Sequence, residues 1–325
     1  MNKKIKIGVI GCGYWGINLV RNFYELGVLV AVSDINEEAE SSVKKISKSI
    51  EFKKNYSEII KNRNIDAVVI ATPAKSHFKI VENALNNNKH VFVEKPLCLN
   101  LKDGNRLKEL SKKKRLKLMV GHLMLYHPAF NKMKDEISKG LIGKIRYIYS
   151  NRLNLGKLRK DEDVLWSFAP HDISMILNLV SSKVEQVDAF GGSYIKNKIK
   201  DTSLTSLKFK NNIKAHIFVS WLHPYKDQRL VVVGEKGMIV FADVLKGNNK
   251  LLFYNHKVSW KNDYPLVTKA KGKQIPFNFN KEPLKIECKS FIDWIENNKK
   301  PVSDVDEGLR VLDVLDKAKL KLAKC

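Results

Sequence analysis

Cysteine is scarce in this chain, and its four copies, Cys12, Cys98, Cys288 and Cys325, stand far apart with no C-x-x-C pair among them. That spacing argues against a disulfide framework and a zinc site, so free thiols and no bound metal are expected. Long apolar runs are missing too, since no uninterrupted stretch approaches the roughly 20 residues that span a bilayer. Met1-Asn2-Lys3 leads straight into an alternating segment without the apolar core of a secretory signal, and a cytoplasmic protein away from membranes is the simple expectation. Arginine-aromatic clusters, internal repeats and low-complexity linkers are likewise absent.

Charge, by contrast, is abundant. Lysine and arginine number 59 against 34 acids, a formal net charge of +25. Most of the excess is lysine scattered among asparagine (Lys44, Lys45, Lys48, Lys53, Lys54, Lys61; Asn86, Asn87, Asn88). Such scatter fits solvated helix faces better than a nucleic-acid stripe, although a mild positive potential also draws anionic substrates. With 325 residues and 44% apolar content, the chain exceeds what one core usually organises, so two domains are the default.

The most informative stretch is Lys4 to Gly16, an alternating apolar strand running into Gly11-Cys12-Gly13-Tyr14-Trp15-Gly16. In such a G-x-G-x-x-G turn the first glycine permits a tight turn, the second lets a pyrophosphate approach the backbone, and the third lets the next helix pack on the strand. The helix expected from Tyr14 to Leu26 would offer amide groups and its positive dipole end to the phosphates. A second apolar strand, Val28 to Ser33, ends at Asp34, 18 residues past the last glycine. A carboxylate there accepts hydrogen bonds from the adenosine ribose and repels a 2'-phosphate, which favours NAD over NADP. The same residue is also suited to cap the helix expected from Asn36, and the two roles are compatible.

Strand and helix then alternate as in a doubly wound parallel sheet: a helix Asn36 to Lys48, a short helix capped by Ser57, a strand Asp66 to Ala71, a helix Ser76 to Asn88, a strand His90 to Val93, a helix Leu101 to Lys114 and a strand Leu116 to Val120. Thr72-Pro73 and Glu94-Lys95-Pro96 close two of these strands at the carboxyl ends, where ligands bind in such sheets. Past Gly121 the period changes to 2. Strands are expected at Lys144 to Leu153, Val184 to Phe190, Ser203 to Phe209, Ile213 to Trp221, Arg229 to Val233 and Met238 to Phe241, forming an open, largely antiparallel sheet. Helices are expected near Pro128 to Lys139, from about Pro170-His171-Asp172, at Pro283 to Asn297 and at Asp306 to Leu322. The expected architecture is thus an α/β Rossmann domain, 1–121, followed by an α+β domain, 122–325, for substrate and oligomer contacts.

Five pieces in order, the G-C-G-Y-W-G turn, Ala71-Thr72-Pro73 with His77, Glu94-Lys95-Pro96, Val233-Gly234-Glu235-Lys236-Gly237 and Glu282-Pro283-Leu284, resemble the glucose-fructose oxidoreductase / inositol dehydrogenase (Gfo/Idh/MocA) family over nearly the whole chain. The resemblance implies an NAD-dependent oxidoreductase acting on CH–OH groups, with Gly11, Cys12, Gly13, Tyr14, Trp15, Gly16, Asp34, Thr72, Pro73, His77, Glu94 and Lys95 around the coenzyme. It places Lys95 beside the nicotinamide and the reacting oxygen, often next to a cis peptide at Pro96. An ammonium there would stabilise an alkoxide, and partial burial would move its pKa toward useful proton transfer. A surface lysine paired with Glu94 is the bland alternative.

Leu165 to Ser174 resembles the family stretch that holds a catalytic histidine at a helix start, which maps to His171, the candidate base for the substrate hydroxyl. Many members carry an aspartate four residues earlier, where this chain has Ser167, so a carboxylate-histidine relay is in doubt. Asp172 is suited either to substrate contact or to capping the helix. Together with Gly121 to Ala129 and Asn151 to Lys157, the stretch looks like the branch acting on nucleotide-linked sugars: UDP-N-acetylglucosamine and UDP-N-acetylglucosaminuronate 3-dehydrogenases and keto-sugar 3-ketoreductases. Arg152, Lys157, Arg159 and Lys160 form a cationic group suited to a diphosphate, or a solvated charged loop. His122, Tyr126, Asn154 and Trp166 are further substrate candidates, with packing at the domain junction the alternative for His122 and Tyr126. The implied product, a 3-keto sugar, suits a PLP-dependent aminotransferase in amino-sugar synthesis for a surface polysaccharide or lipid A. Direction, recycling of NAD by a 2-oxo acid and the choice of nucleotide sugar stay open, and a homodimer or homotetramer is expected.

Overall fold

A computed structural model describes residues 4–156, 158–159 and 162–323, and the chain divides into two units. The first comprises residues up to Leu123 together with Glu282–Asp313. Its elements are β1 (Ile7–Ile10), α1 (Gly16–Glu25), β2 (Leu29–Ser33), α2 (Ala39–Ile46), β3 (Glu51–Lys53), α3 (Tyr56–Lys61), β4 (Ala67–Ile70), α4 (Ala74–Asn86), β5 (His90–Glu94), α5 (Leu101–Lys113) and β6 (Leu118–Gly121). All six strands run parallel in the order β3-β2-β1-β4-β5-β6. Strands β1, β4 and β6 are buried at every residue, which is why they read as continuous apolar runs: helices cover both faces of such a sheet.

One strand was not foreseen, and one cap changes. Strand β3 has only three residues, none of them buried, so burial left no periodicity to read. Helix α3 is capped by Asn55, not Ser57: the Asn55 side chain accepts the Ser57 N–H at 2.9 Å. The chain order also differs from a single crossing at residue 121, because Glu282–Asp313 belongs with the first unit. There the helix Pro283–Asn297, which becomes α8, sets Phe291 edge-on to Phe92 of β5 at 5.8 Å, and Phe92 meets Phe23 of α1 in the same way at 6.3 Å. Glu282 accepts from Arg21 at 2.5 Å and from Asn22 at 3.2 Å, which fixes the start of that helix on α1.

The second unit, Met124–Lys281 with Val314–Cys325, contains α6 (Pro128–Ser138), β7 (Ile145–Leu153), α7 (Val164–Leu179), β8 (Val184–Gly192), β9 (Thr202–Phe209), β10 (Lys214–Ser220), β11 (Asp227–Gly234), β12 (Met238–Ala242), β13 (Leu251–Tyr254), β14 (Lys257–Lys261), β15 (Tyr264–Thr268) and β16 (Lys273–Gln274). Eight strands form one sheet in the order β16-β13-β12-β11-β7-β10-β9-β8, antiparallel except for the β7–β10 pair. Strands β14 and β15 pair as a separate ribbon exposed at every residue, so no buried face marked them in advance. The last helix, α9 (Val305–Leu322), starts among the first unit's residues and ends among those of the second. Among the described residues no helix is long and apolar enough to cross a membrane.

Helix α7 corrects a further expectation. It begins at Val164 rather than near Pro170, with Asp163 as its N-cap accepting the Trp166 N–H at 3.1 Å. Pro170, His171 and Asp172 therefore lie inside the helix. A proline was read as a helix start, but here the helix packs on β7, β9 and β10, and that burial tolerates the hydrogen bond that Pro170 cannot donate.

Candidate active site

The glycine turn shows why each glycine is there. Gly11 takes φ +89°, and a Cβ on it would stand 2.8 Å from the Ala71 carbonyl. At Gly16 a Cβ would fall 2.1 Å from the Gly11 oxygen, so only glycine lets α1 approach β1 this closely. Gly13 meets nothing within 4 Å. The turn thus has two positions closed by backbone and one open to a ligand.

Asp34 is wired into the same turn. Its Oδ2 accepts the Cys12 N–H at 2.8 Å and its Oδ1 the Asn36 N–H at 2.9 Å. Helix α2 starts later, at Ala39 after Glu38, so Asp34 does not cap it. Burial and the Asp34 carboxylate push the Cys12 thiol up to about 12, which makes it a packing residue rather than a nucleophile. Tyr14 is 90% exposed beside the open position, whereas Trp15 turns back and donates its indole N–H to Glu94 Oε1 at 2.6 Å. The E-K-P strand end is thereby tied to the glycine turn.

The Lys95–Pro96 peptide is cis. His77 is buried, with Nδ1 2.7 Å from the Pro96 carbonyl and Nε2 2.7 Å from the Thr72 carbonyl. It joins the Thr72-Pro73 loop to the E-K-P loop, and both ring nitrogens are occupied by main chain. Burial lowers its proton affinity, while the two carbonyls oppose that shift. Thr72 Oγ1 meets Ser76 Oγ at 2.8 Å at the start of α4. The open space at Gly13, the start of α1 and the Asp34 carboxylate at the end of β2 fit a dinucleotide, with His77 supporting the loops from behind.

The first unit also holds a buried ionisable cluster, of which the sequence analysis named Glu94 and His122 and passed over Glu287 and Glu307. His122, just after β6, places Nδ1 2.5 Å from Glu307 Oε2 of α9, and both side chains are nearly fully buried. Glu287 of α8 is completely buried, and neither of its oxygens has a hydrogen-bond partner among the described residues. Burial, with Glu94 and Glu307 as neighbouring carboxylates, pushes Glu287 well above the usual carboxylate range. Glu94 is raised by burial too, but Trp15, Lys95 and His122 pull it back toward the anion. A signal was present: Glu287 sits on the α8 stripe of Leu284, Cys288, Phe291 and Ile292, where a charged residue is out of place.

In the second unit the two described members of the expected cationic group, Arg152 and Arg159, are each paired with a carboxylate. Arg152, near the end of β7, is buried, and its Nε donates to Asp172 Oδ2 of α7 at 2.6 Å. Ser150 donates to the other oxygen of Asp172. Asp172 is therefore the partner of Arg152, neither a helix cap nor an open substrate ligand. Arg159 pairs with Glu162 at 2.9 Å, and Lys157 and Lys160 lie outside the described residues. Trp166 and Tyr126 are buried, with Lys319 Nζ 5.8 Å from the centre of the Trp166 ring. Asn154 follows β7 and donates its backbone N–H to Ser220 at 3.1 Å. His171 is half-buried on α7, one residue before Asp172 and one turn after Ser167.

Residues 5–122 match the oxidoreductase family with the NAD-binding Rossmann fold, and residues 130–240 match the GFO/IDH/MocA C-terminal domain. The chain is 30% identical to a myo-inositol 2-dehydrogenase of Thermotoga maritima over 261 residues, covering 76% of this chain and 78% of that one. It is 24% identical to a UDP-N-acetylglucosamine 3-dehydrogenase of Acidithiobacillus ferrooxidans over 309 residues, 95% of this chain and 94% of the other. A crystal structure of a UDP-N-acetylglucosamine 3-dehydrogenase from that organism superposes with a TM-score of 0.85 at 22% identity, covering 99% and 98% of the two chains.

Proposed function

Since the chain belongs to the Gfo/Idh/MocA oxidoreductase family, with its NAD-binding Rossmann domain, we propose that it uses NAD to oxidise the 3-hydroxyl of a UDP-sugar, UDP-N-acetylglucosamine or its 6-carboxylate, to a 3-keto sugar. The observation that carries the dinucleotide part is the closed-open-closed glycine turn held by Asp34. The preference for NAD over NADP rests on Asp34, because its carboxylate at the end of β2 repels a 2'-phosphate. Support for the sugar nucleotide comes from the UDP-N-acetylglucosamine 3-dehydrogenase relative, which matches 95% of the chain.

When bound, NAD supplies the hydride acceptor. Lys95 donates a hydrogen bond to the reacting oxygen and stabilises the developing alkoxide. His171 takes the hydroxyl proton, and the C–H hydrogen leaves as hydride, so the alcohol becomes a ketone. Arg152 has no part in holding the diphosphate, since its guanidinium is committed to Asp172. A 3-keto product is a natural substrate for an amine-transferring enzyme, and a homo-oligomer in the cytoplasm completes the reading.

Nicotinamide absorbance tests it directly when protein and NAD meet UDP-N-acetylglucosamine or UDP-N-acetylglucosaminuronate, each with and without 2-oxoglutarate. Reduced coenzyme with one sugar is the expected result. Substitution Lys95→Met should then cut turnover by about 10²–10⁴ with NADH still bound. No reduction with either sugar would move the reading to a 3-ketoreductase of nucleotide-linked deoxysugars, and full turnover without Lys95 would remove it from the chemistry.

A further inference from the structure

We propose that the first unit carries a second anion site, a cleft at the amino end of β6 that takes a diphosphate-sized anion between Lys112, Arg115 and Lys117. The six strands of that sheet run parallel. The glycine turn follows the carboxyl end of β1, so the cleft lies at the opposite ends of the strands. It is separate from the turn assigned to the coenzyme, and the inference does not rest on that reading. The cleft encloses about 310 Å³ between the second half of α5, Leu116 to Leu118, Trp294 of α8, Lys300 and residues 304–306. That volume is near the lower limit of about 300 Å³ for small-molecule sites, so it suits a small ion better than a whole nucleotide.

Five cations line this cleft against two carboxylates. Both carboxylates are engaged. Asp306 accepts from Lys108 at 2.8 Å, and Asp304 pairs with Lys300 while its Oδ1 accepts the Glu307 N–H at 3.0 Å. Lys117 is held but not neutralised: its Nζ stands 5.3 Å from the centre of the Trp294 ring and donates to Asn298 Oδ1, and both partners are uncharged. Trp294 is buried, so its ring is a fixed seat for that ammonium. Arg115 takes φ +56° just past α5, where glycine or asparagine is the usual residue and a β-carbon is strained. Among the described residues its guanidinium has no hydrogen bond or ion pair. Lys112 acts through space on Asp306, an acid already held low by the hydrogen bond from Lys108. Three positive charges thus face one concave space without a carboxylate of their own. Like charges so gathered repel, and the walls of a cleft focus their potential into it. A diphosphate offers several oxygens at once to a guanidinium and two ammonium groups, which relieves that repulsion.

Calorimetry of the full chain with inorganic pyrophosphate tests this, at about 0.1 M salt so that general attraction to the positive surface is damped. One saturable site with a dissociation constant of about 1 mM or tighter is expected, and inorganic phosphate should bind about tenfold more weakly because it reaches fewer of the cations. Arg115→Gly and Lys112→Ala should each weaken pyrophosphate by about tenfold. Lys113 stands in the same last turn of α5 but outside the cleft, so Lys113→Ala should leave the affinity unchanged. Saturating NADH should leave it unchanged as well. Glycine suits the left-handed backbone, so the unliganded melting midpoint of Arg115→Gly should not fall. Absence of saturable binding would overturn the proposal. So would equal losses in Lys113→Ala and Arg115→Gly, which would reduce the effect to overall charge, or displacement by NADH, which would put the pyrophosphate in the glycine turn. Phosphate binding as tightly as pyrophosphate would overturn the assignment to an anion that spans the cations. If the Arg115→Gly midpoint does fall, that side chain serves the fold, and Lys112→Ala against Lys113→Ala decides the site.

Discussion

The glycine turn and the Arg152–Asp172 pair are opposite ways of placing positive charge in a protein. In the first unit it comes from the partial charges of the main chain, held open at Gly13 by two positions that tolerate no side chain. In the second unit the buried guanidinium is already spent, since Arg152 donates to Asp172 at 2.6 Å and Ser150 completes the acceptor. Backbone charge at a helix start is available because no side chain competes for it. A formal charge in a sequence is available only if the fold leaves it so.

Breaking the pair should have the largest effect of the changes that bear on this contrast. Arg152→Ala leaves a buried carboxylate without its cation and should destabilise the protein by about 3–5 kcal/mol in urea unfolding. The double replacement Arg152→Met with Asp172→Leu should recover most of that, because no charge is then stranded. If Arg152→Ala instead left stability intact and raised only the KM for a sugar nucleotide, the guanidinium would be available after all, and the contrast would fail.

Next in size is a difference in pH response. His127 caps α6 by accepting the Ala129 N–H at 3.1 Å, and burial pushes its pKa from 6.5 down to about 4, with Lys250 adding to the shift and Asp243 opposing it. The folded protein thus prefers the neutral ring, and the unfolded chain binds the extra proton between the two values. Stability from this source is complete above about pH 6.5 and is lost as pH falls toward about 4, by about 2–3 kcal/mol after allowance for residual exposure. His127→Asn keeps a capping oxygen and removes the titration. Urea unfolding at about pH 7 and about pH 4.5 should show the loss in the native protein and a smaller one in the variant. Equal losses would mean that this histidine does not set the acid limit. A smaller loss in the variant would mean that the second unit weakens in acid through His127.

How much of this was legible in the sequence follows the same division. The roles of Gly11 and Gly16, the strand ends at Thr72 and Glu94, and the parallel order of the first sheet depend on neighbours in sequence or on unbroken apolar runs, and the structure has them where the residues pointed. Arg152 and Asp172 stand 20 residues apart on a strand and a helix, so only the packing of α7 on β7 could reveal that they neutralise each other. The start of α7 was hidden by Pro170, which imitates a first-turn proline although the cap is Asp163. Glu287 was legible in part, as a charge on an apolar stripe, but its neighbours Glu94 and Glu307 come from β5 and α9. The return of Glu282–Asp313 to the first unit gave no local signal.

The smallest expected effect belongs to the one open position. At Gly16 an added Cβ would stand 2.1 Å from a backbone oxygen, so Gly16→Ala should lower thermal stability whatever the ligand. Gly13 has nothing within 4 Å, and Gly13→Ala should leave the unliganded protein as stable as before. The added methyl would instead occupy space used by the dinucleotide, weakening NADH by about tenfold, or about 1.4 kcal/mol. Melting curves with and without NADH separate the outcomes, because a ligand raises the midpoint according to its affinity. Loss of the NADH-induced shift with an unchanged unliganded midpoint would mean that Gly13 is glycine for the ligand and Gly16 for the fold. An unliganded midpoint that drops in Gly13→Ala as far as in Gly16→Ala would make all three glycines requirements of the turn itself, and the open position would no longer mark where a pyrophosphate lies.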